Sequence, residues 1–259
     1  MDEGTTATAV EGVTAAIERA DSVVALTGAG VSVASGVPAF RGTSPEGVST
    51  ETVWDRHDPA DFHRRRFDAD PEGFGPDRLA LRETMYGRGV EPNAAHEALA
   101  RMERAGHLDT LATQNVDGLH AAAGSESVVR LHGRSDQVVC DDCGRREPAE
   151  AAFERVRDGE SPPTCDCGGV SKPDVVLFGE ALPDGPLERV QRATRRCDVF
   201  LAVGSSLTVR PASLLPEIAA ETGATLVVAN LEETPASETA DHDLRVDVTD
   251  FLPRLVAAL

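Results

Sequence analysis

Short unbroken apolar runs alternate along the chain with longer stretches in which apolar positions recur at helical spacing. The runs fall at 22–27, 110–114, 128–131, 175–178, 199–203 and 225–229, and each is predicted as a β-strand. Several show no polar alternation, as expected of parallel strands covered on both faces. Between them, the pattern predicts amphipathic helices over 7–20, 94–105, 212–222 and 251–259. Asn93, after Pro92, stands where an N-cap belongs, and Gly106 and Gly223 stand where helices stop. This β–α alternation predicts an α/β fold, a doubly wound, Rossmann-like parallel sheet.

Two stretches break the alternation. The segment 42–91 is rich in charge, proline and glycine, and its run Arg64-Arg65-Arg66 reads as a solvated face. The segment 134–172 carries four of the five cysteines. Both are expected to leave the main sheet and build a smaller inserted domain. The expected division is therefore 1–42, 92–133 and 174–259 for the Rossmann-like domain, 43–91 for a helical insertion and 134–173 for a zinc-binding module.

Composition changes the picture in two ways. At 259 residues and 41% hydrophobic content, the chain can bury a substantial core. No basic start and apolar stretch of a signal peptide is evident, and no apolar run approaches the ~20 residues needed to span a bilayer. A cytoplasmic protein without membrane contact is expected. The net charge is −19, and of the 25 basic residues only Lys172 is a lysine. So acidic a field repels phosphate backbones and argues against direct nucleic-acid binding. It fits a salty cytoplasm, because at molar salt the Debye length falls to ~3 Å and self-repulsion is screened.

The first strand runs into Thr27-Gly28-Ala29-Gly30-Val31-Ser32. A strand, a glycine turn and a helix start suit a dinucleotide phosphate, because glycine lets backbone N–H groups approach the anion. The spacing is not G-x-G-x-x-G, and no acidic residue ends a second strand about 20 positions on, so a hydride-transferring dehydrogenase fits least well. Asn115 and Asp117 follow an apolar strand, at the end where open α/β sheets hold ligands, and His132 follows another. An imidazole of pKa about 6.5 accepts a proton at neutral pH.

Six stretches, in order, resemble the sirtuin family: GAGVSVASGVPAFR (28–41), TQNVDGLH (113–120), LHG (131–133), KPDVVLFGE (172–180), GSSLTVRPA (204–212) and NLE (230–232). The resemblance spans nearly the whole chain and implies NAD-dependent removal of acyl groups from protein lysines. Its products would be nicotinamide, 2′-O-acyl-ADP-ribose and free lysine. It implies His132 as general base on the ribose hydroxyls, Asn115 positioning the ribose or a water, and Asp117 with Val116 holding the nicotinamide carboxamide. Further NAD contacts would come from Gly28, Ala29, Gly30, Ser32, Phe40, Arg41 and Gln114. Later in the chain, Gly204, Ser205, Ser206, Asn230, Glu232 and Val248 would complete the set. The family pattern has Asp where this chain has Ala39, which removes one side chain from the cofactor loop. The resemblance leaves His96 and His120 to structure and His57, His63, His107 and His242 to the surface.

Cys140-x-x-Cys143 and Cys165-x-Cys167 supply four soft ligands for one tetrahedral, structural Zn²⁺. Gly144 and Gly168 allow tight knuckles, but the C-x-C spacing is shorter than the family's C-x-x-C and is expected to strain the second. Cys197 reads as a buried small apolar residue. By resemblance, the segment after the module pairs with an acylated peptide by β-augmentation, with Val176 and Phe178 lining the acyl-lysine tunnel and Gly179 and Glu180 giving backbone contacts. Some family members read acidic acyl groups with Y-x-x-R. Here Tyr86-Gly87-Arg88 gives only Y-x-R, so acetyl-lysine is favoured. Two alternatives stay open, a protein ADP-ribosyltransferase and a catalytically silent NAD-binding module. Oligomeric state is not legible.

The charge reading has a direct test, a salt titration of thermal stability. The fold is expected to melt at a markedly lower temperature as salt falls from molar to ~0.1 M, where the Debye length is about 10 Å. Indifference to salt would sink it.

Overall fold

The structure is a computed structural model that describes residues 3–40, 44, 51–87 and 89–259, with side chains from residue 8 onward. Its elements, in order, are α1 (Glu3–Glu18), β1 (Val23–Thr27), α2 (Arg64–Ala69), α3 (Pro71–Tyr86), α4 (Ala94–Ala105), β2 (Thr110–Thr113), α5 (Leu119–Ala122) and β3 (Val128–Arg130). They continue with β4 (Gly133–Cys140), β5 (Arg146–Pro148), α6 (Ala149–Arg157), β6 (Ser171–Val175), α7 (Asp184–Thr194), β7 (Val199–Val203), α8 (Leu215–Glu221), β8 (Thr225–Asn230), β9 (His242–Arg245) and α9 (Val248–Ala258).

Among the described residues, six strands form one sheet in the order β3-β2-β1-β7-β8-β9, every pair parallel. Every residue of β1 and β7 is buried, which is why their sequences are apolar without alternation. One face packs on α1, α4 and α9 through Val13, Ile17, Leu99, Met102, Leu252 and Leu255. The other packs on α7 and α8 through Val190, Leu215 and Ala219. The chain order reverses direction between β1 and β7, so the crevice above that pair is the sheet's switch point.

That switch point is unusually close. The Gly28 N–H donates to Val203 O (3.1 Å) and the Gly30 N–H to Gly204 O (2.8 Å). A Cβ on Gly30 would lie 2.8 Å from Gly204 O, and one on Gly204, where φ is +58°, would lie 2.6 Å from Val31 N. Neither position has room for a side chain.

A second sheet, β5-β4-β6, is antiparallel. Here the structure corrects the expected strand at 175–178. The paired residues are Ser171–Val175, and only Phe178 makes a further bridge, to His63. Ser, Lys, Pro and Asp carry little strand preference, so only pairing with β4 makes this segment a strand. The helix expected at 212–222 is a short 3₁₀ turn (Ala212–Leu214) followed by α8, because Pro216 lacks an N–H and sits in the new helix's first turn. The last helix begins at Val248 rather than 251, since the Asp247 side chain caps the Thr249 N–H (2.8 Å). The first begins at Glu3 and ends at Glu18, two residues short of expectation. Strands β4, β5 and β9 are too short or too polar to announce themselves.

The glycine contact yields a comparison. Gly204→Ala, which meets both a left-handed backbone and a clash, is expected to lower stability by about 3 kcal/mol. Gly223→Ala meets only the backbone term, with nothing within 4 Å of its Cβ, and should lose only about 1 kcal/mol. Denaturant midpoints measure both; equal losses would show that the close approach is not limiting.

Candidate active site

A cavity of about 890 Å³ opens above the carboxyl ends of the parallel strands. The end of β1 supplies Gly28, Ala29, Gly30 and Ser32; the end of β2 supplies Gln114, Asn115, Val116 and Asp117. His132 comes from just beyond β3, and Gly204, Ser205 and Ser206 from beyond β7. Asn230 and Glu232 follow β8, and Val248 opens α9. From the segment just beyond β6 come Val176, Phe178, Gly179 and Glu180, on the facing wall, and Phe40 also lines the cavity. Every expected catalytic, cofactor and substrate residue in the described chain thus lines one cavity, and the four expected zinc ligands lie apart from it. Arg41 lies outside the described residues.

The polar groups brace each other. The Ser32 hydroxyl donates to Asp117 Oδ2 (2.7 Å), and Asn115 Nδ2 donates to Gly28 O (2.9 Å) and to Ser32 Oγ (3.1 Å). Gln114 Nε2 donates to Ser205 Oγ (2.7 Å), tying the β2 loop to the β7 loop. His132 Nδ1 lies 2.8 Å from Gln114 O. A carbonyl can only accept, so Nδ1 carries the proton and Nε2 keeps its lone pair. Burial pushes the His132 pKa below the ordinary imidazole value, partly opposed by that hydrogen bond, so the ring is neutral at pH 7 with Nε2 free to accept a proton.

Beneath this cluster, His96 and His120 are fully buried, with ring centroids 4.9 Å apart. His120 Nε2 lies 2.9 Å from Thr27 Oγ1 and His96 Nε2 3.4 Å from Ser32 Oγ. Burial pushes His96 down to about 4 and His120 down to about 3. The histidines expected at the surface, His57, His63, His107 and His242, are all half-buried instead, and His63 has a structural part. It caps α2 by accepting from the Arg65 N–H (3.1 Å), and its ring stands against Gly179.

Sequence reading missed the cavity's aromatic and cationic wall. Trp54 lies between Phe40 (5.2 Å) and Phe178 (5.8 Å) with its ring tilted to both, joining the cofactor loop to the segment beyond β6. Ala39 is buried, and its carbonyl accepts the Val53 N–H (2.9 Å), so backbone and ring contacts hold this loop where an Asp side chain is missing. Arg78 and Tyr86, from α3, also line the cavity. Burial pushes Arg78 down to about 10 and Tyr86 up to about 12, so one is a cation and the other a neutral phenol at pH 7. The one signal available was that single aromatics and arginines recur in the insertion, which a charge-rich loop does not need.

The sulfur atoms of Cys140, Cys143, Cys165 and Cys167 lie within 4.8 Å of one another, with Cys140–Cys167 at 3.5 Å and Cys143–Cys165 at 3.7 Å. All are free thiols. Four sulfurs around a tetrahedral ion with ~2.3 Å bonds stand roughly 3.8 Å apart, so the donor set fits zinc. The short C-x-C pair closes without opening the cluster because Gly168 (φ +88°) and Gly169 leave room; a Cβ on Gly169 would lie 2.8 Å from Cys140 Sγ. Cys197 is buried outside it, donating to Thr194 O (3.2 Å).

Fold and crevice define the class first: an open α/β sheet whose switch point, lined by a glycine turn, faces a cysteine-bearing second sheet across one cavity. The Sir2 family pattern matches residues 28–211, and the chain belongs to the Sir2 family. It is 59% identical over 252 residues (96% of this chain, 94% of the relative) to an NAD-dependent protein deacetylase of Haloarcula marismortui, a halophilic archaeon. It is 43% identical over 243 residues (94% and 92%) to NAD-dependent protein deacetylase 1 of Pyrobaculum aerophilum. Among solved structures, one described as "Sir2 bound to acetylated peptide" superposes with a TM-score of 0.84 at 30% identity, over 96% of this chain and 97% of that one. Another, "Sir2-p53 peptide-NAD+", gives 0.81 at 32% identity over the same shares.

The buried histidine pair makes stability depend on pH. Both folded pKa values lie below the unfolded value of about 6.5, so the unfolded chain binds more protons below that pH. The stability they contribute is full above pH about 6.5 and is lost as pH falls through about 4 and about 3, with an upper bound on the order of several kcal/mol in total. Urea unfolding at constant salt from pH 7.5 to 5 measures it. His120→Gln should flatten the slope by up to about 1.4 kcal/mol per pH unit, and an unchanged slope would contradict this.

Proposed function

We propose that this chain is an NAD-dependent protein-lysine deacetylase, releasing nicotinamide, 2′-O-acyl-ADP-ribose and free lysine. The observation that carries the reading is the convergence of His132, Asn115 and Asp117 with the glycine turn on one side of a cavity whose other side is the 175–180 segment. The names of the relatives support it.

In this reading NAD is a co-substrate that supplies an electrophilic ribose carbon and a leaving nicotinamide. The Ala29 backbone amide, with Ser205 and Ser206, receives the phosphates and adjoining ribose. Gly28 and Gly30, whose N–H groups donate to Val203 O and Gly204 O, line this end without side chains, and Asn230, Glu232 and Val248 flank the adenosine end. Asp117 and Val116 hold the carboxamide, and Asn115 and Gln114 hold the nicotinamide-side ribose. His132 Nε2, freed by the bond from Nδ1 to Gln114 O, takes the proton from a ribose hydroxyl. Phe40 closes over this end, and Trp54 braces Phe40 against the peptide wall; Arg41, assigned to the same cofactor contacts, lies outside the described residues. Val176 and Phe178 line the acyl-lysine passage, with Gly179 and Glu180 at its mouth.

We assign Zn²⁺ to Cys140, Cys143, Cys165 and Cys167 as a structural ion. We also assign 43–91 and 134–173 to a small domain against the Rossmann-like remainder (1–42, 92–133 and 174–259). The partners are acylated lysine-bearing proteins of the cytoplasm. Among the described residues, no helix is long and apolar enough to cross a membrane. The relative from a halophilic archaeon supports the reading of the charge as salt adaptation.

A carboxylate-bearing acyl group is a second reading, favoured by one observation. Arg78 lines the cavity with its Nε buried and without a hydrogen-bond partner. A ligand carboxylate would satisfy it.

One assay tests these together, nicotinamide release from NAD with no peptide, an acetyl-lysine peptide or a succinyl-lysine peptide. Release should depend on acetyl peptide, with a one-for-one loss of acetyl by mass spectrometry. His132→Ala should slow it by ~10²-fold or more, and the acid limb of the wild-type profile should lie below pH about 6.5. Gain of ADP-ribose by the peptide would favour the transferase, and no peptide-dependent release would favour a silent NAD-binding module. Faster turnover of the succinyl peptide would favour the second reading.

A further inference from the structure

The segment facing the peptide is steadied from behind by charge. The Glu180 N–H donates to Leu177 O (3.0 Å), while Glu180 Oε2 accepts the Leu177 N–H (2.8 Å), closing a tight turn through Gly179 (φ +84°). Two cations then take the carboxylate. Lys172 Nζ lies 3.2 Å from Oε2 and also donates to Val175 O (3.1 Å), so it spans the start and end of the segment. Arg64 Nη1 lies 3.2 Å from Oε1, and the Arg64 backbone N–H donates to Phe178 O (2.8 Å). Arg64 is itself fixed by a two-pronged pair with Asp141 and by Asp68.

This is not ordinary surface pairing. The Lys172 and Glu180 side chains are 11% and 18% exposed, whereas the Arg192–Glu188 pair is 62% and 63% exposed, where ion pairs contribute little. Lys172 is also the chain's single lysine. Of the arginine run in the insertion, only Arg65 is fully exposed; Arg64 and Arg66 are half-buried in ion pairs, so the run is not simply a solvated face.

We propose that Lys172 and Arg64 are positioning residues of the peptide cleft. They hold the Glu180 carboxylate as the cap of the 177–180 turn, and through it hold Val176 and Phe178 in the extended line offered to a peptide strand. Neither touches the reacting atoms. The last step, peptide pairing, rests on the function proposed above; the turn does not.

The test uses the full chain with Lys172→Met, which keeps the stem and removes the charge, and Lys172→Arg, which keeps the charge. A surface pocket of about 420 Å³ beside Lys172 has room for the guanidinium. Hydrogen exchange of the amides over 175–181 in the free protein should be about tenfold faster in Lys172→Met, since local opening sets exchange, and near wild type in Lys172→Arg. The Kd of a fluorescein-labelled acetyl-lysine peptide, read by anisotropy, should rise about tenfold in Lys172→Met, while that for ADP-ribose stays within about twofold. Unchanged exchange overturns the proposal, as does a Lys172→Arg protein as impaired as Lys172→Met. An equal loss of ADP-ribose affinity overturns it too, because that is general loosening. If wild type itself does not bind the peptide, the deacetylase reading fails, and the exchange measurement alone still decides the positioning role.

Discussion

The structure turns on the contact of two backbones at the switch point of the sheet. Gly28 and Gly30 hydrogen-bond to the end of β7 at Val203 and Gly204, with no space for a Cβ on either side. The missing side chains let a ligand come close to the backbone there, with the Ala29 N–H between the two donated amides. The contact also sets the spacing of everything that follows. The β1 loop carries Ser32 onto Asp117 and Asn115, and the β7 loop carries Ser205 onto Gln114. One steric constraint therefore holds three strand-end loops in register.

The chemistry needs groups that stay neutral and fixed, and burial supplies both. His132 is oriented by a carbonyl on one ring nitrogen and kept deprotonated by its surroundings. His96 and His120 lie deeper and contribute packing and hydrogen bonds rather than proton transfer, because burial keeps both neutral well into acid. The facing wall works differently. Trp54 spans from Phe40 to Phe178 by ring contacts, and Arg64 and Lys172 anchor the turn at Glu180 by charge. The cavity thus joins a rigid, hydrogen-bonded floor to a wall held by aromatic and ionic contacts. Salt screens ionic contacts most where they are exposed, and the partly buried Glu180 pairs are the least affected.

The excess of acid and the preference for arginine shape the outside of the molecule. Many arginines pair with neighbouring carboxylates, as Arg155 does with Glu147 and Arg146 with Asp174. Such pairs contribute little singly, and a net charge of −19 remains after them. The fold must tolerate that repulsion through its apolar core and its solvent, which ties its stability to ionic strength.

The sequence by itself determined the parallel sheet, its apolar strands and nearly all of the crevice floor. The apolar runs, the glycine turn and the polar residues directly after strands (Asn115, Asp117, His132) are local; Ser205, Ser206, Asn230, Glu232 and Val248 were legible by resemblance to family motifs. It also determined the four cysteines, whose spacing is a chemical statement. Only the tertiary structure decided the rest. Ser171–Val175 is a strand because β4 lies beside it, and Trp54, Arg78 and Tyr86 face the cavity because the insertion folds back over the sheet. Pro216 and Asp247 set helix starts three residues from where periodicity alone placed them. Arg64 looked solvated in a run of three arginines and proved to reach Asp141 and Glu180. The two helix starts are local signals that periodicity does not count. The strand, the cavity wall and the Arg64 pairs depend on residues distant in sequence, and local pattern carries no information about which charge or ring a chain reversal will bring alongside.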